Sequence, residues 1–242
     1  MKRYIIAGLI VFLAVLVTTF PARVAYNQFA PPDLSLTGIS GSIWNGAAAE
    51  GLAAGAYVRN LTWKIKPTSI LTGKLAYRVS AQPAAGQIDT DVAVAMDGSL
   101  TLSDLTGAVP LDLVHEAFQQ AGIGGELTLE FARLVMRDGL PVDVEGSVAV
   151  TNFFVPDLSS ARLGDYRAEF YTENQNVMAD VTDTAGVLEV AGVVTLSPDR
   201  SYSLIGDVGA RPAAPPSVAR QLEFLGSPDE NGMRPFRFEG SL

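Results

Sequence analysis

The sequence predicts a mainly β protein: a curved antiparallel sheet, or a β-sandwich or roll-like meander, with two short helices, preceded by one N-terminal transmembrane helix. Three observations predict it. From Tyr4 to Phe20 the chain is uncharged and almost wholly apolar. From residue 34 onward, apolar residues recur with a period of two, the signature of strands with one buried face. That alternation is broken at short intervals by Gly, Asp-Gly, Asn-Gly and Pro, which are turn residues.

The apolar run comes first. Seventeen residues at 1.5 Å each give about 26 Å, close to the roughly 30 Å hydrocarbon core of a bilayer. Lys2 and Arg3 precede it and favour an N-terminus held in the cytoplasm. Phe20-Pro21-Ala22-Arg23-Val24 has bulky or charged residues where a signal-peptide cleavage site needs small ones. The expectation is an uncleaved anchor over residues 4–20, with residues 1–3 cytoplasmic and residues 21–242 forming one domain beyond the membrane. A cleaved signal peptide is the alternative.

Pro31-Pro32-Asp33 stops any helix that continues past the anchor. Leu34 to Thr37 alternates as a short strand and leads into Gly38-Ile39-Ser40-Gly41-Ser42-Ile43-Trp44-Asn45-Gly46. Here Gly41 and Gly46 flank Trp44, one of two tryptophans. Glycine permits turns and close approaches, and tryptophan buries a large area, so Gly41, Trp44, Gly46 and Trp63 are read as a structural anchor. Tyr57 to Ile65 alternates, with Tyr57, Leu61, Trp63 and Ile65 assigned to one face. That face lines either a closed core or an open apolar groove; alternation is the same in both. Pro67 ends the strand, a helical turn follows at Ser69–Gly73, and Leu75–Val79 resumes.

Strands and turns then repeat: Ile88–Met96, Asp97-Gly98, Leu100–Leu105, Leu127–Phe131, Asp138-Gly139, Val142–Val150, Tyr166–Thr172, Val177–Thr182, Leu188–Leu196, Tyr202–Val208 and Arg234–Leu242. Several strands open on glycine, at Gly86, Gly125, Gly146 and Gly186. Two segments carry helical spacing, Pro110–Ala121 and Ser217–Leu225.

Composition excludes several function classes. There is no cysteine, hence no disulfide, thiolate metal site or cysteine nucleophile. The net charge is −9, and −11 without Lys2 and Arg3, which disfavours nucleic acid and anionic lipid as partners of the body. His115 is the single imidazole, and no Gly-x-Ser-x-Gly elbow or phosphate-binding glycine loop accompanies it. Asp89 and Asp91 share a strand face and are read as a solvated pair rather than a cation site. Ser227–Gly232 reads as a turn rather than a Ca²⁺ loop. No catalytic residue, metal ligand or cofactor is assigned.

The order of these features resembles the type II secretion system protein N family (general secretion pathway protein N). The resemblance rests on the single N-terminal span, the Pro21-Ala22 exit, and Leu36-Thr37-Gly38 leading into Gly41-Ser42-Ile43-Trp44-Asn45-Gly46. It continues in Leu61-Thr62-Trp63, Pro67 before Leu71-Thr72-Gly73, Gly125-Glu126-Leu127-Thr128-Leu129, and the closing Phe236–Leu242. Ser42 stands where the family favours Thr, and residues 83–105 carry no family feature. The resemblance implies a non-enzymatic, inner-membrane-anchored periplasmic component of the machine that exports folded proteins across the outer membrane. Its partners would be inner-membrane and periplasmic components of that machine. A rival reading is a lipid- or hydrophobe-binding module with an open apolar sheet face; a periplasmic hydrolase is weaker still.

Overall fold

The computed structural model describes residues 15–30, 34–53, 56–70, 74–83, 86–95, 97–111, 123–156 and 162–241, with Tyr4, Gly8 and Phe12 as isolated positions. Fourteen strands form one antiparallel sheet. They are β1 (Leu34–Thr37), β2 (Ser40–Gly41), β3 (Asn45–Ala53), β4 (Ala56–Ile65), β5 (Leu75–Pro83), β6 (Gln87–Val94) and β7 (Leu100–Pro110). They continue as β8 (Gly124–Arg137), β9 (Leu140–Phe154), β10 (Gly164–Glu173), β11 (Asn176–Gly186), β12 (Leu188–Leu196), β13 (Ser201–Ala210) and β14 (Arg234–Ser241). Strand order follows chain order except for β2, which pairs with β3 off the main path. The sheet does not close: β1 and β14 end it. Of the architectures the alternation allows, the molecule takes the single meandering sheet.

Among the described residues three short helices accompany it: α1 (Ala22–Phe29), α2 (Pro67–Ile70) and α3 (Pro216–Leu222), the last extended by a 3₁₀ turn at Glu223–Leu225. The expected helix at 217–225 corresponds to α3 and its 3₁₀ extension; of the helical turn expected at 69–73, Ser69 and Ile70 fall in α2 and residues 71–73 lie outside the described residues. In the expected helix over 110–121, Pro110 is the last residue of β7, and residues 112–121 lie outside the described residues. Residues 5–7, 9–11 and 13–14 of the apolar run at 4–20 also lie outside them. Among the described residues no helix is long and apolar enough to cross a membrane.

A flat sheet cannot bury a face without a second layer, and this one does so by curling. Phe131 on β8 and Leu196 on β12 line the same apolar cavity of about 180 Å³. At roughly 4.8 Å per strand, a flat sheet would hold those strands about 19 Å apart. At one sheet end, Arg200 in the β12–β13 turn donates to the Asp138 carbonyl in the β8–β9 turn at 3.1 Å. The buried core of Leu105, Phe131, Val144 and Val177 sits inside this curl, with Leu102, Leu134, Phe170 and Leu196 packed on it.

Bulges set which residues face inward. Asn60 (φ 50°) interrupts β4, Asp104 (φ 51°) interrupts β7 and Asn152 (φ 55°) interrupts β9. Asn and Asp tolerate this left-handed conformation best among residues with a side chain. Each bulge inserts one residue and flips the alternation beyond it. Leu102 and Leu105, three apart, therefore both reach the core, as do Phe131 and Leu134 across from them.

Two further apolar clusters complete the inner face. Val218 of α3 packs with Val155 and Leu163, covering the end of the curl formed by Phe153 and Leu188. At the other side of the molecule, Ala22 of α1 packs with Ile39 and Ala48, against Leu36, Leu61 and Trp63.

Candidate functional site

The turn between β2 and β3, with the chain around residues 17–26, holds a dense set of specific contacts near the candidate residues. Ser42 starts it. Its hydroxyl accepts from the backbone N–H groups of Trp44 (3.3 Å) and Asn45 (3.2 Å), and its own N–H donates to the Asn45 carbonyl at 2.9 Å. This is a hydroxyl-stabilised turn, which either Ser or Thr supports. Gly41 enters it at φ +80°, where a Cβ would stand 2.5 Å from the Asn45 carbonyl oxygen. Gly46 leaves it, and a Cβ there would meet the Trp63 ring at 2.4 Å. Trp63 thus lies directly over bare backbone. Its indole N–H donates to the Ser42 carbonyl at 3.2 Å, joining β4 to the turn.

Trp44 points elsewhere. It is half-buried and belongs to none of the core clusters. Its indole N–H donates to the Val17 carbonyl at 2.7 Å, and its own carbonyl accepts from Ile65 at 2.7 Å. The Ile43 N–H donates to the Phe20 carbonyl at 3.0 Å, and Pro21 bridges to Ser42. The Val17 carbonyl, at the end of the helical turn over residues 15–18, also accepts from the Phe20 N–H at 3.4 Å, so the indole adds a second donor there, and Ile43 holds the chain just beyond it. The Arg23 guanidinium donates to the Ile39 carbonyl at 3.1 Å. The Tyr26 hydroxyl donates to Leu34 and accepts from Leu36. α1 therefore runs along β1, away from the Trp44 turn and over the inner face. The sequence reading had no separate helix here; the signal was present in the uninterrupted Ala22–Phe29 ahead of Pro31.

The four residues assigned to an apolar face divide. Leu61 and Trp63 pack against the α1 cluster, and Ile65 follows them on the same face. Tyr57 falls on the opposite face, paired with Leu52, and is 42% exposed. The Asn60 bulge is the cause: it brings Val58, 8% exposed, to the inner face in place of Tyr57.

The carboxylates read as a solvated pair have protein partners. Asp91 is 9% exposed and receives Lys66 and Arg78, the latter at 3.1 Å. Burial opposes its ionisation, but the hydrogen bonds and charges of Arg78 and Lys66 hold its carboxyl below the usual range. Asp89 accepts from Ser80 and Gln87. Asp229 accepts from the Asn231 and Met233 N–H groups, which makes Ser227–Gly232 a turn. Among the described residues no group of three or more His, Asp or Glu comes together to hold a metal. His115 lies outside the described residues.

Sequence comparison places these features in context. The family model described as type II secretion system (T2SS), protein N matches residues 32–237. The chain is 24% identical over 255 residues to the type II secretion system protein N of Aeromonas hydrophila, covering all of this chain and 99% of the relative. It is 26% identical over 253 residues to the protein of the same name from Vibrio cholerae serotype O1, covering all of both. No solved structure matches.

Proposed function

The chain belongs to the type II secretion system protein N family, and we propose that it is a non-enzymatic docking component of that secretion machine. Residues 4–20 anchor it in the inner membrane, residues 1–3 stay in the cytoplasm, and residues 21–242 form one periplasmic domain. From there it assists export of folded proteins through protein–protein contacts. The observation that carries the docking role is the unclosed sheet. β14 ends it with eight residues whose outer edge no strand among the described residues covers. Phe238 is 57% exposed on that strand. Such an edge accepts an extended partner segment by strand addition. Arg237, Glu239 and Pro235 on the same strand discourage indiscriminate pairing while leaving a matched partner room.

The test is photocrosslinking in the native envelope. A photoreactive residue in place of Phe238 is expected to capture an inner-membrane or periplasmic secretion component. The same residue in place of Glu189, on the interior strand β12, is expected to capture none. Equal capture at both positions, or none at either, overturns edge docking.

A second reading has one specific observation behind it. The 180 Å³ cavity is lined only by apolar residues, among them Phe131, Val144, Phe170, Val177 and Leu196. A small hydrophobe, or the end of one acyl chain of a lipid lying along the inner face, fits that lining. Stoichiometric phospholipid recovered with the protein, with no secretion component, would favour it.

A further inference from the structure

All four lysines of the chain fall at two places, Lys2 and the short span Lys64, Lys66 and Lys74. The span lies at one end of the sheet, formed by the end of β4, α2 and the start of β5. The Trp44 turn lies at the same end, since Asn45 pairs with Lys64. So the helical turn gripped by Trp44 leaves the domain beside the lysines. Lys64 and Lys74 are exposed, and Arg78 pairs across the strands with Lys64. Lys66 and Arg78 pair with Asp91, and exposed Lys64 and Lys74 add two more cations to this corner, in a protein whose net charge is −9; Asp97 of the β6–β7 turn, next along the rim, pairs with Arg137. The apolar side chains at this rim are exposed as well: Leu75 (42%) and Val94 (47%) pair with each other at the ends of β5 and β6.

We propose that this corner of the rim, with Trp44, Lys64, Lys74, Leu75 and Val94, seats on an anionic phospholipid surface and holds the domain in one orientation on the membrane. The inference rests on the anchored reading above. Tryptophan with a polar edge, flanked by lysines and exposed aliphatics, matches the composition of a membrane interface. The acidic turns of the same sheet end, with Asp97, Asp138, Glu173 and Asp199, and the acidic remainder of the chain are repelled from that surface, so attraction at the β4–β5 corner and repulsion elsewhere fix an orientation. The lysines lie more than forty residues beyond Phe20. That is outside the roughly 15–20 residues over which flanking charge decides topology, so they do not oppose an N-terminus held in the cytoplasm.

The chain has no cysteine, so single spin labels can be placed cleanly. Full-length protein carrying Thr68→Cys, on exposed α2 at the rim, or Glu230→Cys, in the turn before β14 at the far end, is reconstituted into phosphatidylcholine vesicles with and without phosphatidylglycerol. The Thr68 label is expected to lose accessibility to a water-soluble relaxing agent only when phosphatidylglycerol is present. The Glu230 label is expected to stay aqueous in both. Each lysine near an anionic surface contributes about fivefold. Lys64→Gln with Lys74→Gln should therefore lower the ratio of seated to lifted protein by about twenty-five-fold. Labels equally aqueous at both positions, with the protein still resisting alkaline extraction, overturn the seating and leave the anchor standing. Protein released by alkaline extraction overturns the anchor, and the seating with it.

Discussion

Substituting Trp63 by alanine removes the ring that covers Gly46 and packs on the buried cluster of Ala22, Ile39 and Ala48. The expected loss is about 3 kcal/mol, the lower end of the range for large aromatic truncations because the ring is half-buried. Trp44→Phe is a different experiment. It deletes the indole donor to Val17 and should cost the domain only about 1 kcal/mol, the worth of one hydrogen bond. It should also raise amide exchange near residues 17–21, measured by hydrogen–deuterium exchange. If Trp44→Phe proved as costly as Trp63→Ala, the division of labour between the two rings would be wrong. Tyr166 supplies a pH test. Burial, followed by the charge of Asp183, pushes its phenol up to about 12. A raised folded value means that its contribution to stability is complete below the unfolded value near pH 10 and is lost as pH rises through 12. Ultraviolet titration of the phenolate in wild type against Tyr166→Phe should show one phenol missing from the high-pH step only.

Bulges are the elements whose loss would rearrange the most. Asn60→Gly keeps access to φ 50° and should leave stability within about 1 kcal/mol of wild type. Asn60→Val places a β-branched residue in left-handed backbone and should cost about 2 kcal/mol, read from urea unfolding. The same bulge explains what the sequence reading of β4 got right and what it missed. The strand, its end at Pro67 and the shared face of Leu61, Trp63 and Ile65 follow from a period of two. Tyr57 does not, because one extra residue reverses parity, and Asn in mid-strand is no more visible as a bulge than as a surface residue. The turn carrying Gly41, Ser42 and Gly46 was legible because its glycines have no other use. The partner of the Trp44 indole was not, because a hydrogen bond to a distant backbone carbonyl leaves no mark in residue type. The tie between Lys66, just ahead of α2, and Asp91 on β6 is testable by pH as well. The folded Asp91 carboxyl is held down by its cations, so its stabilisation is present above the unfolded value near pH 4 and is lost as pH falls through the folded value. Asp91→Asn should be less stable than wild type at pH 7, and the gap should close in acid.

The curl of the sheet gives the molecule its core, and alternation along single strands does not encode it. Curvature arises from bulges on several strands and from contacts between residues far apart in the chain, such as Arg200 with Asp138. The same curl leaves the 180 Å³ apolar space between β8 and β12, and that space separates the two functional readings. Ala179 lines it and is 1% exposed, so a longer aliphatic side chain there must enter the cavity. If the space is a packing void, Ala179→Leu fills part of it and should stabilise the domain by about 1 kcal/mol, a rise of about 2–4 °C in melting temperature. Capture of secretion components at the β14 edge should be unchanged, since that edge is set by β13 and not by β11. If the space instead holds a hydrophobe, the same substitution displaces it: co-purifying lipid falls, and the stabilisation that the ligand conferred by mass action disappears with it. A variant that melts higher and still crosslinks through Phe238 therefore supports docking by the sheet edge. One that melts lower and loses bound lipid assigns the curl to ligand binding.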